Sequence, residues 1–275
     1  MPGTHWEGPL LGSENARGGL FRGMNMRATE FGTVSDALYG DPAATGQNLG
    51  RWTWTEQFVE ADTIAPTGRY FTLTQIVAGT VTLAAEQTNH VLNLNHGTAD
   101  QGPAVRYLGS QGGGDSICRP TTATVTSFEC RARHQTNVAT NDAFIGFYTS
   151  VAAHPLVAAG TLNTAAISQG VGFHWLDAND GRPVLVAWVN NTAETLVNPP
   201  TLATDVVGVF REFGVRMTGA ITGGPSAEFY VGGLRIFRHQ FSAAMTGRMT
   251  FGAGLVSNAA GAQFHLDSLV LAFRH

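Results

Sequence analysis

From Arg51 onward, apolar and polar residues alternate with a period of two in short runs, the pattern of half-buried strands. Trp52 and Trp54 open it. Predicted strands follow over 69–77, 80–84, 90–95 and 105–108. In the run 122–133, Phe128, Cys130 and Ala132 share one face, and Glu129, Arg131 and Arg133 the other. Residues 170–175 and 183–189 flank the turn chemistry of Asp177–Ala178–Asn179–Asp180–Gly181, which predicts a hairpin. Residues 227–231 and 234–237 flank Gly232–Gly233 and predict a second. Further strands are expected over 143–148, 206–217, 248–256 and 263–273, with a long loop from Ser150 to Ser168 holding one helical turn near Ala152–Ala159. No long amphipathic helix is predicted. About twelve short strands separated by turn signals predict an all-β sandwich.

The first fifty residues break the pattern. Glycine recurs there, and the apolar residues stand singly or in pairs with no sustained period. Such a segment cannot bury enough surface alone to offset its ordering entropy. It reads as an extended N-terminal arm over 1–50, followed by a connecting β region over 51–120 and a sandwich over 121–275, or by one sandwich over 51–275.

Composition narrows the chemistry. Only 13% of the 275 residues are charged, the net charge is −4, and all 16 cationic residues are arginine. That balance gives no basic drive toward nucleic acid, and a hydrophobic share of 43% is too high for disorder. No apolar run reaches the roughly 18 residues of a membrane span, and the start lacks the features of an export signal. Cys118 and Cys130 fit either a cross-strand bridge or two buried thiols, the latter expected for a chain without export.

The order of elements from about Thr122 to Phe273 resembles the concanavalin A-like, laminin-G-like jelly roll. The residues that carry this are Phe128–Arg133, Phe144–Phe147, Gly172–Trp175 with its acidic turn, Phe213–Met217, Glu228–Gly233 and Phe264–Leu271. Gly232 stands where that family commonly has Asp. Separately, Gly3–Ser13 resembles the start of tailed-bacteriophage head decoration and minor virion proteins. That resemblance implies a structural, non-enzymatic protein of the virion surface, made in the host cytoplasm. Its arm would lie on the major capsid protein through His5, Trp6, Pro9, Leu10, Leu11, Leu20, Phe21, Met24 and Met26. Homo-oligomers, trimeric or dimeric, would fit such a role.

Catalytic and metal motifs are sparse. The paired-carboxylate pattern Glu-x-Asp-x-x-Glu of jelly-roll glucanases does not occur, and Glu129, Glu212 and Glu228 are isolated. Asp177–Gly181 faintly echoes a calcium loop, but Trp188 occupies the position of the closing Glu. Asp142, Asp177, Asp180 and Asp205 remain conceivable donors from separate loops. His90 and His96 are too far apart along one strand to share zinc. No Gly-x-Ser-x-Gly elbow occurs, and without lysine no Walker-type phosphate loop can form. No metal or cofactor is therefore expected. Arg131, Arg133, Arg211, Arg216, Arg235, Arg238 and Arg248 suit exposed strand faces or interface ion pairs. If the sandwich instead recognises glycans, Trp175, Trp188 and Tyr230 are the aromatic candidates, though each also suits the core. Glycan hydrolysis is the remaining alternative.

Overall fold

The computed structural model describes residues 51–56, 71–76, 79–85, 90–97, 102–107, 120, 124–136, 140–179, 181–220, 222–258 and 261–274. The proposed arm anchors, together with Cys118, lie outside them. Fifteen strands are described: β1 (Arg51–Glu56), β2 (Phe71–Ile76), β3 (Gly79–Ala85), β4 (His90–His96), β5 (Gly102–Tyr107), β6 (Val125–His134), β7 (Asn141–Thr149), β8 (Gly170–Trp175), β9 (Pro183–Val189), β10 (Thr192–Ala193), β11 (Arg211–Thr218), β12 (Ser226–Val231), β13 (Leu234–Gln240), β14 (Met249–Ser257) and β15 (Gln263–Arg274). Sheet A runs β13-β12-β11-β6-β15-β4-β3, and β1 also pairs with β15. Sheet B runs β10-β9-β8-β7-β14-β5-β2. All pairings are antiparallel, for example β7 with β8 and β6 with β11.

The two inner faces meet in one core. Phe128, Cys130 and Ala132 of β6 point into it as their alternation predicts. Phe128 packs edge-on against Phe147 and Phe251 of the opposite sheet, each with ring centroids 5.1 Å away. The region 51–120 supplies strands to both sheets: β1, β3 and β4 to sheet A, β2 and β5 to sheet B. Both predicted hairpins form. The β12–β13 turn places Gly232 and Gly233 at φ +58° and +83°, a two-residue turn that needs glycine.

Two predicted elements differ. The strand expected to begin at Val206 begins at Arg211, because Asp205 and Gly208 are held elsewhere: Gly208 sits at φ +77° and its N–H bonds the His134 carbonyl. The helical turn near Ala152–Ala159 is replaced by turns and one bridge between Leu156 and Leu162. Pro155 and the left-handed pair Ala159–Gly160 are incompatible with a helix there.

The arginines are largely committed within the chain. Arg131 pairs with Asp267 at 2.6 Å, Arg211 pairs with Asp205, and Arg216 and Arg235 share Glu228. Asp267 is the extra residue of a bulge in β15, between Leu266 and Ser268, which turns it toward Arg131.

Candidate functional site

Two surfaces of the sandwich have the chemistry of a site: the outer face of sheet B and the open side between the sheet edges. On sheet B, the outward positions of the central strands are Asp142, Phe144, Gly146 and Tyr148 on β7, then Gly170, Gly172 and His174 on β8. Thr250, Gly252, Gly254 and Val256 complete the set on β14. Gly252, Gly146 and Gly172 lie side by side in register across the three strands. A Cβ on Gly146 or Gly172 would collide with the neighbouring strand's backbone. The Tyr148 and Trp188 rings lie over Gly252 and Gly170 in the space a side chain would need.

This glycine floor is covered. Leu156 and Ile167, from the 150–169 segment, join Phe144, Tyr148, Trp188 and Val256 in a second buried cluster. The cover is pinned by hydrogen bonds. His174 Nε2 donates to the Gly160 carbonyl at 2.8 Å, and Trp188 Nε1 donates to the Ile167 carbonyl at 2.8 Å. The Leu156 N–H bonds His154 Nδ1 at 3.0 Å. Burial holds His154 and His174 neutral, lowering each to about 4. Asp142 is the carboxylate among those outward positions. It lies under Gly160 and accepts the Asp177 N–H at 2.9 Å. Burial pushes it up to about 6, with the charge of Asp177 adding and the hydrogen bond opposing.

The open side is different. A groove of about 640 Å³ runs between the edge of sheet B at β10 and the edge of sheet A at β13. That volume lies within the ~300–1,000 Å³ of small-molecule sites. Its floor is apolar, formed by Val189, Ala243 and the half-buried ring of Phe237. Val197 stands on its rim at 72% exposure. Asn190, Thr192, Thr195 and Arg238 supply polar lining. Glu194 ties the two edges together. Its Oε1 accepts Ser242 Oγ at 2.6 Å and the Ser242 N–H at 3.0 Å, and its Oε2 accepts His239 Nε2 at 2.6 Å. Burial alone would raise this carboxyl, but the bonds from Ser242 and His239 outweigh it and hold the carboxylate below its ordinary range. The carboxylate sits between hydroxyl and imidazole, so His239 cannot take the Ser242 proton as a nucleophile triad requires.

The aromatic candidates from sequence lie elsewhere, and all three are fully buried. Trp175 packs against Phe213 and Phe264 between the sheets and donates its indole N–H to Asp205 at 2.6 Å. Trp188 belongs to the covered cluster on sheet B. Tyr230 lies on the other face of sheet A, where its hydroxyl donates to Glu228 at 3.1 Å; burial and that neighbouring charge raise it to about 12. None of them lines the groove. Its ring is Phe237, which sequence alternation had marked only as a strand position. Among the conceivable calcium donors, Asp142 and Asp177 meet through a backbone bond, while Asp205 is bound to Trp175 and Arg211. Asp180 lies outside the described residues. No group of three metal-binding side chains occurs among the described residues.

No family model matches the chain, and none of the curated proteins does. Solved structures do share its architecture. A glycoside hydrolase family 16 endo-glucanase from Bacteroides ovatus, solved with a bound ligand, superposes with a TM-score of 0.53 at 6% identity, over 79% of this chain and 99% of that one. A protein of unknown function from Shewanella oneidensis gives 0.51 at 10% identity, over 84% and 89%. The carbohydrate recognition domain of Emp46p gives 0.50 at 10% identity, over 74% and 88%. The chain is an all-β, concanavalin A-like jelly-roll sandwich.

The same findings correct the functional expectations. The named structures of like fold include a glucanase and a carbohydrate recognition domain, not phage capsid proteins. The reading as a virion decoration protein that bridges capsid subunits therefore does not stand. It rested on the arm and sandwich together with eleven residues, Gly3–Ser13, that lie outside the described structure. The expectation that the chain is no enzyme also fails, because this sandwich is one that glycoside hydrolases share. A missing Glu-x-Asp-x-x-Glu motif excludes that one carboxylate arrangement and not catalysis as such.

Proposed function

We propose that this chain is a carbohydrate-recognising sandwich with its ligand in the groove between β10 and β13. The observation that carries the reading is the groove's two-sided chemistry. A pyranose ring has an apolar face and a hydroxyl edge. Phe237, Ala243 and Val197 offer the first a surface, and Asn190, Thr195 and Ser242 offer the second hydrogen-bonding groups. Val197 is exposed enough to change without harm to the fold. Binding to a diverse panel of neutral and acidic glycans tests the reading, with Val197→Asp as the comparison. The expected result is binding by the native chain that the variant loses while its melting temperature holds. Silence across the panel, or undiminished binding by the variant, overturns it.

A second reading, glycan cleavage, is favoured by Asp142, a carboxyl raised to about 6 on the sheet face. Gly160 covers that carboxyl, so cleavage requires the 150–169 segment to lift. Release of reducing ends from polysaccharides, lost in Asp142→Asn, would support it. No release by the native chain would end it.

A further inference from the structure

We propose that His239 sets the specificity of the groove: its Nδ1 accepts a hydroxyl of the saccharide, so the groove takes an uncharged sugar in preference to a sugar acid. The inference rests on the groove being a saccharide site and adds the ligand's chemistry. The register of β12 and β13 places the residue. Phe237 stands opposite Phe229 and His239 opposite Ala227, and both partners belong to the core. Phe237 and His239 thus share the inner face of sheet A on its edge strand, where that edge opens onto the groove. Residues two apart on a strand are separated by about 7 Å. A sugar ring laid on Phe237 therefore has its hydroxyl edge within reach of His239. Arg238 stands opposite Glu228 on the other face and brings no charge to this pair.

The imidazole is fixed before any ligand arrives. Its ring packs edge-on against Phe241 with centroids 4.9 Å apart, and its side chain is only 9% exposed. Nε2 meets Glu194 Oε2 at 2.6 Å. A carboxylate can only accept, so Nε2 carries the proton, and in the neutral ring Nδ1 is left as a bare acceptor. Nδ1 has no partner among the described residues and, unlike the Nδ1 of His96, is not sealed from solvent. The neighbouring hydroxyl cannot serve it, because Ser242 Oγ donates to Glu194. A ligand that covers this acceptor without supplying a proton leaves it unpaired and loses affinity. A sugar hydroxyl supplies the proton, whereas an ionised carboxylate has none to give. The ionised sugar would also meet the negative charge of Glu194 in the groove lining. Glu194 is the charged side chain that faces His239; Ala227 across β12, Phe241 and Ser242 add no charge.

The test compares cellotriose, maltotriose and galactotriose with the same trisaccharides oxidised to uronic acids at C6, by titration calorimetry. The neutral member of at least one pair should bind about tenfold tighter than its acid at pH 8. Toward pH 5 the preference should shrink, because a protonated imidazole offsets Glu194 and its Nδ1–H donates to a carboxylate. His239→Gln keeps an N–H for Glu194 but has no titrating group. Its preference should be flat with pH, and its affinity for the neutral sugar about tenfold lower, with the melting temperature held. Equal binding within the pairs, tighter binding of the acids, or an unaltered pH profile in His239→Gln overturns the assignment and leaves saccharide recognition standing. If His239→Gln fails to fold, the native chain decides: a preference that does not change between pH 8 and pH 5 overturns it. Absence of binding to every one of these probes also overturns it, and silence across the whole glycan panel removes the underlying reading as well.

Discussion

The outer face of sheet B and the groove between the sheet edges are built from opposite materials. The face is floored by glycine, roofed by its own aromatic rings, and sealed by a segment that returns to cover it. The groove leaves an aromatic ring half-exposed and a valine bare, and the Arg238 of its lining has no ion-pair partner among the described residues. A buried apolar surface has already gained its free energy from leaving water, whereas an exposed one still has that gain to make on binding. The face therefore contributes to folding, and the groove is the surface free to contribute to recognition.

Acid should test the sealed face most severely. On that face His154 and His174 are each held at about 4, against about 6.5 in the unfolded chain, by burial, and His134, packed between the sheets against Trp175 and Phe264, is held at about 3 for the same reason. The unfolded state then binds more protons below pH 6.5, so stability falls as pH drops from 6.5 toward 4. At pH 5 the loss is about 2 kcal/mol for each histidine. Asp142 has the opposite sign. Its raised carboxyl returns some stability as pH falls from 6 toward 3.8. Urea titrations at pH 7 and pH 5 should show a much lower midpoint at pH 5. An unchanged midpoint would show that these histidines are not buried neutral.

Leu156→Ala comes next. It empties a fully buried position on the underside of the cover and should cost about 2–5 kcal/mol without changing glycan affinity. Equal losses of stability and binding would erase the division between the two regions. Glu194→Ala removes the acceptor shared by Ser242 and His239 and should cost about 1–3 kcal/mol. It should also weaken binding, because the groove's two walls lose their tie. Val197→Asp should change stability by less than about 0.5 kcal/mol, as measured by denaturant midpoint, yet remove binding.

Much of the fold was legible in the chain. The alternation in β6 placed Phe128, Cys130 and Ala132 inward, and the turn residues fixed both hairpins, because period and turn chemistry are local signals. The covered face was not legible. Gly146, Gly172 and Gly252 read only as positions within three separate strands, and only pairing in register shows that they form one floor. Nor was the groove. Its parts, Val197, Glu194, Phe237 and Arg238, come from two distant stretches joined at the sandwich's open side. The buried tryptophans were natural glycan candidates in sequence. Trp175 and Trp188 differ in position, but both indole N–H groups are satisfied inside the protein.

The central claim is that the groove, and not the face of sheet B, receives the saccharide. Hydrogen–deuterium exchange with and without a saturating concentration of a glycan that the panel shows to bind tests it most directly. Protection confined to residues 189–197 and 237–243 is the predicted result. Protection centred on residues 142–148, 154–160 and 170–174 would contradict it and place the ligand on the face beneath the cover.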